Sequence, residues 1–134
     1  MQSVSWPKPR FQVTTDGFCD NLTNLIWHSQ ASINNTPLSW DDALTSVELL
    51  ARKSGNPWRL PTINELESIV DASCHTPALP DNHPFTAVKE AYWSSTTSYF
   101  EADWAYVLYL HKGAVGVGHK PGKAFSAWPV MKKS

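Results

Sequence analysis

The segment "GNPWRLPTINELESIVD", Gly55 to Asp71, places a tryptophan, an arginine, two prolines and two glutamates in one short run. Such residues read either as a catalytic cluster or as a folding signature, and the spacing decides between them. Thr62 and Glu65 stand in the relation of a capping box. The threonine hydroxyl accepts from the Glu65 N–H while the glutamate reaches back to the Thr62 N–H. Pro61 keeps the helix from starting earlier, and the pattern predicts a helix to about Asp71 that buries Leu66, Ile69 and Val70. Glu67 points elsewhere around the helix. Arg59, between Trp58 and Leu60, is expected to bond loop carbonyls. Paired carboxylates beside a cation also suit acid–base chemistry, but with Glu65 occupied by the cap, this stretch reads as structure.

Upstream, "SWDDALTSVELLARKSG" predicts a longer helix. Ser39 is its N-cap, Asp41 and Asp42 lie in the first turn, Arg52 and Lys53 in the last, and Gly55 just beyond. Trp40, Ala43, Leu44, Val47, Leu50 and Ala51 recur at helical spacing and form its core face. Before it, "FQVTTDGFCDNLTNLIWH" reads as short strands at Phe11–Thr14, Phe18–Asp20 and Leu25–His28. Asp16-Gly17 makes one turn, and Asn24 supplies a positive φ in the next.

Downstream, residues 72–91 carry Pro77, Pro80 and Pro84 and predict a long ordered loop, either functional or packed. Period-two patterning follows: "YWSSTT", "WAYVLYL", a turn at "HKG", then "AVGVGH" and "AFSAWPVM", read as one antiparallel meander. Short strands, two helices, a loop and a meander make the class α+β. Residues 1–10 are expected to be an arm or linker, and residues 11–134 one domain.

The 134 residues suffice for one domain with a sizeable core. Seven Trp and ten Pro are high, and no run approaches the roughly 20 apolar residues of a membrane span. Membrane insertion is not expected. Net charge is −1, but every acidic residue lies at or before Asp103, while Lys112, Lys120, Lys123, Lys132 and Lys133 follow it. That asymmetry points to a basic C-terminal region, although the overall charge argues against nucleic acid. Cys19 and Cys74 have no metal-binding spacing, so a disulfide worth about 4 kcal/mol and two unrelated buried thiols both stand as readings.

Together, "DGFCDNLTNLIW", "SWDDAL", "WRLPTINELESIVD", "YWSSTT" and the terminal "WPV" resemble the Lcl C-terminal domain family, a bacterial module of collagen-like adhesins and other exported proteins. The likeness spans Phe11 to Met131. "RLPT" before a glutamate-rich helix is also similar to formylglycine-generating enzymes, so the resemblance implies a C-type-lectin-like fold: two helices flanking a small twisted sheet, close termini and long loops on one side. It assigns Trp27, Trp58, Trp93 and Trp128, with Arg59, Thr62 and Glu65, to structure. It also favours a Cys19–Cys74 disulfide and an oxidising compartment, secreted, periplasmic or at the cell surface. Two departures stand out: Thr23-Asn24-Leu25 where the family has T-G-L, and Met131 where it has arginine after W-P-V.

Three function classes follow. An oxygenase of the formylglycine-generating type would use paired late cysteines, which this chain lacks. His111 and His119 facing each other across a hairpin would lack a third metal ligand. Ser94 and Ser95 lack a nucleophile elbow and are expected to bond backbone. No enzyme activity, cofactor or metal is therefore expected. A ligand-binding or adhesion module has positive support. Tyr99, Phe100 and Trp104 are aromatics suited to stacking on sugars or burying peptide side chains, and His111, Lys112, His119, Lys120 and Lys123 form a candidate basic patch. The partner would be an extracellular glycan, anionic ones included, or a surface protein. The alternative is a structural or oligomerisation module, such as a fibre or pilus tip cap, in which the same aromatics bury against another copy.

Overall fold

The computed structural model describes residues 9–133 and is α+β, with two helices and two antiparallel sheets. The first sheet contains β1 (Phe11–Val13), β2 (Phe18–Asp20), β3 (Leu25–Trp27) and β7 (Val130–Lys132), in the order β1-β2-β3-β7. The second contains β4 (Ala91–Thr97), β5 (Trp104–Tyr109) and β6 (Ala114–His119), in the order β4-β5-β6. Helices α1 (Trp40–Ser54) and α2 (Ile63–Ser68) lie between the first three strands and the second sheet in sequence.

The expected single meander is thus divided. β7 leaves β4–β6 and pairs with β3, Trp27 opposite Val130 and Leu25 opposite Lys132. "AFSAWPVM" is strand only at its end, because Phe125 and Ser126 make isolated bridges to Leu38 and Tyr92. The register explains the choice: alternate residues of both sheets enter two separate cores. Leu25, Trp27, Tyr92, Leu108 and Val130 join the first core, while Cys19, Ile26, Trp93, Val107 and Met131 join the second. A strand buried on both faces reads as a continuous apolar run, as "LIW" does.

Helix α1 has the predicted caps: Ser39 accepts from the Asp42 N–H, and Gly55 takes φ 74°. It gives Ala43 and Val47 to the second core; Trp40, Leu44, Leu50 and Ala51 are only partly buried against it. Helix α2 has both halves of its capping box but stops at Ser68 instead of about Asp71. The Ile69 and Val70 N–H groups turn to carbonyls three residues back, and Asp71 N–H leaves the helix for Ala78 O. Ser68 O accepts from Arg10, which sits in no arm: its guanidinium grips Asp20 at 2.6 and 2.8 Å and is buried. Residues 1–8 of the proposed arm lie outside the described residues.

Among the loops, Asn24 takes the expected positive φ of 61°, joined by Thr76 and Ala87. The Thr76–Pro77 bond is cis. The long loop is a packed excursion: Ala78 N–H bonds Leu110 O, Thr76 N–H bonds His111 O, and Ala31 and Thr86 bond across to each other and Ser29. It sends Leu79 and Phe85 into the first core, where Phe85 meets Phe11, Phe18 and Trp128 edge-on.

Candidate functional site

The structural residues come first, because they hold the rest. Trp27 and Trp128 pack 4.9 Å apart in the first core, and Trp128 Nε1 donates to His28 O. Trp93 Nε1 donates to Leu38 O from the second core, where Trp58 is also buried beneath the His28 ring. Arg59 does not seek loop carbonyls. Its guanidinium forms a bidentate pair with Glu65 at 2.6 and 2.7 Å, and only its backbone reaches β7, through Val130. Burial opposes the Glu65 charge, yet the Arg59 and Thr62 hydrogen bonds outweigh it and hold the carboxyl below its usual range. Ser94 is occupied as expected, its Oγ donating to Tyr106 O; Ser95 N–H donates to Pro61 O.

The cysteines are both free, which corrects the disulfide. Cys19 is buried in the second core beside Ile26 and Met131. The Cys74 thiol sits in the long loop, 3.6 Å from an Asp81 oxygen and 3.9 Å from Ser73 Oγ. The two sulfurs have different neighbours on different elements, and loss of solvent pushes both thiols up in pKa.

The candidate ligand residues separate into two groups at opposite ends of the β5–β6 hairpin. His119 pairs with Trp104 at one end and Ala114 with Tyr109 at the other. His111 and Lys112 lie in the turn beyond Tyr109, so five residues of strand, about 17 Å at 3.4 Å each, separate them from His119. The two histidines therefore do not face each other. Among the described residues, no group of three or more His, Cys, Asp and Glu is arranged to hold a metal.

The aromatic end is where the remaining candidates converge. Tyr99 and Phe100 are 83% and 89% exposed, large apolar surfaces with no core to enter. Tyr99 meets Tyr106 edge-on at 5.4 Å, and its N–H approaches the Tyr106 hydroxyl. Trp104 is half-buried with its ring 4.9 Å from His119. A groove of about 310 Å³ runs between Phe100, Trp104, Ser98, Glu101 and Val117. Val117, Ser98 and Glu101 are the members sequence reasoning missed. The alternation Val115-Gly116-Val117 was the available signal for a valine on the Trp104 face.

Lys120 is at this end but is not a free cation. Its ammonium lies 4.0 Å from the Trp40 ring centroid and donates to Thr97 Oγ1 at 3.0 Å, which ties α1 to β4. Lys123 is exposed in the following turn, and Glu101 and Asp103 are exposed beside the aromatics. The basic patch is therefore dispersed, and the surface around the groove carries both signs of charge.

No curated protein and no solved structure matches the chain. The model of the Lcl C-terminal domain matches residues 17–131, from the Gly17 turn into β7, and so takes in β2 to β6, both helices and the first two residues of β7. With residues 17–131 of its 134 inside that match, the chain belongs to the Lcl C-terminal domain family.

Proposed function

We propose that this chain is a non-enzymatic, exported bacterial module that binds an extracellular ligand, foremost a polysaccharide, at the aromatic end of the second sheet. The observation that carries the reading is the exposure of Tyr99 and Phe100 beside the groove floored by Trp104 and Val117. Flat aromatic faces stack on sugar rings with little loss of rotamer entropy. Glu101 and Asp103 at the rim supply carboxylates for sugar hydroxyls. With Lys120 engaged and Lys112 at the far end, a neutral glycan suits this groove better than an anionic one.

Export and adhesion draw support from the family likeness, since the free cysteines withdraw the disulfide argument. A C-type-lectin-like fold is part of the same proposal. It is supported by the pairing of β7 into the sheet that holds β1, which brings the first and last strands into one sheet.

A glycan array at low and moderate salt tests the reading. Binding that is lost in Tyr99→Ala and Phe100→Ala and persists in Lys112→Ala at both salt concentrations is the expected result. Binding that survives both aromatic substitutions refutes it.

A further inference from the structure

We infer that the groove at the aromatic end selects a cationic sugar, one whose amine is unacetylated and carries a positive charge. The inference rests on the reading of this end as a glycan site and names the member of that class that the groove fits.

The charge of the groove is one-sided although the surface around it is mixed. Of its lining residues, Ser98, Phe100, Glu101, Trp104 and Val117, only Glu101 has an ionisable side chain, and no lysine or arginine is among them. Among the described residues the Glu101 carboxylate has no hydrogen-bond or ion-pair partner. Lys120 directs its ammonium at the Trp40 ring and Thr97 Oγ1, away from Glu101. His119 meets the Trp104 ring at 4.9 Å without lining the groove.

The loop between β4 and β5 holds these groups in place before a ligand arrives. Ser98 N–H donates to Trp104 O at 2.8 Å, and Trp104 N–H donates to Glu101 O at 3.2 Å. Phe100 N–H donates to Ser98 Oγ at 3.2 Å. Two aromatic rings and one carboxylate are thereby fixed on a single short closure, so little ordering remains to be done on binding.

An ammonium uses all three groups at once. The faces of aromatic rings attract cations through their quadrupole, and tryptophan does so best. A hydrogen bond from an ammonium to a carboxylate is about twice as strong as one between neutral groups. A sugar hydroxyl can bond Glu101 but leaves its charge uncompensated as the groove is covered, and a sugar carboxylate would be repelled. The sugar ring itself keeps its stacking surface on Phe100, which is 89% exposed.

Calorimetric titration with tetramers of glucosamine in the N-acetylated, free-amine and N-trimethylated forms, the last charged at any pH, tests this. Both charged forms should bind about tenfold more tightly than the acetylated one. Glu101→Gln should remove that preference without changing the melting curve. Glu67→Gln, which removes the same charge from an exposed site on α2, should leave it intact. Equal affinity for the three forms, tighter binding of the acetylated form, or a preference that survives Glu101→Gln or is lost equally in Glu67→Gln overturns the inference. Phe100→Ala should weaken all three forms. Binding that depends on Phe100 but ignores the charge of the sugar overturns this inference alone and leaves the glycan reading standing.

Discussion

Glu65 Oε1 accepts from Arg59 Nη1 at 2.6 Å and from the Thr62 N–H at 2.9 Å, so one carboxylate both caps α2 and fixes the loop that leads into it. Because Arg59 also bridges β7 through its backbone, the capping box is joined to the first sheet. Glu65→Ala is expected to destabilise the fold by about 1–2 kcal/mol: the cap contributes most, and solvent at the 38%-exposed Arg59 side chain weakens the ion pair. A double-mutant cycle with Arg59→Ala in urea should give a coupling of about 0.5–1 kcal/mol. A coupling near zero would mean that the pair does no more than the cap alone.

Acid should weaken the protein in two stages. Burial lowers the pKa of His28 and His83, and the Arg59 and Thr62 bonds keep that of Glu65 low against the opposing effect of burial. A group whose folded pKa is depressed stabilises fully above its unfolded value and loses that stabilisation as pH falls through the folded one. The histidine share should therefore fade below about pH 6.5 and the Glu65 share below about pH 4.3. Urea midpoints measured from pH 8 to pH 3 should fall accordingly. His28→Asn should flatten the upper stage and Glu65→Gln the lower.

Legibility followed the range of the interaction. The caps at Ser39 and Thr62 and the left-handed turn at Asn24 depend on residues within a few positions, and the sequence pattern located them all. The partner of Arg59 is not legible although it lies only six positions away, because a long side chain can reach the cap carboxylate or a carbonyl with equal ease. The sequence pattern does not place β7 in the first sheet, because its neighbour β3 lies about a hundred residues earlier and local alternation says nothing about which edge a strand joins. Lys120 likewise read as free because Trp40, its ring partner, is eighty positions away. The Asp16-Gly17 turn needs its glycine for a reason the hairpin signal does not carry: Gly17 has no positive φ, but a Cβ there would lie 2.4 Å from Trp27 O. Gly17→Ala should consequently cost about 1–3 kcal/mol in chemical denaturation.

The thiols provide a direct check on the chain's covalent state. Cys74 sits partly exposed in the long loop, whereas Cys19, in β2, is buried in the second core. A thiol reagent should modify Cys74 in the native protein, slowly because its pKa is raised, and reach Cys19 only in denaturant. Cys19→Ser should reduce stability through burial of a hydroxyl, and Cys74→Ser should leave the melting temperature nearly unchanged. If non-reducing denaturant reveals no free thiol, the two cysteines are bonded after all.

Residues at the aromatic end should divide sharply between binding and stability. Tyr99 and Phe100 project from the second sheet and add little to either core, so alanine at each should change stability by less than about 0.5 kcal/mol. Lys120 is the opposite case. Its ammonium joins Trp40 of α1 to Thr97 of β4, and Lys120→Ala should cost about 0.5–1 kcal/mol through the lost cation–π contact and hydrogen bond. A lysine-to-alanine set that includes Lys120 therefore confounds charge with folding, and Lys112 and Lys123 are the substitutions that read charge alone. Thermal melts of Tyr99→Ala, Phe100→Ala and Lys120→Ala, run beside glycan binding, should place the first two on the binding axis and the third on the stability axis. A large stability loss at Tyr99 or Phe100 would mean that these rings support the fold, and their exposure would no longer argue for a ligand.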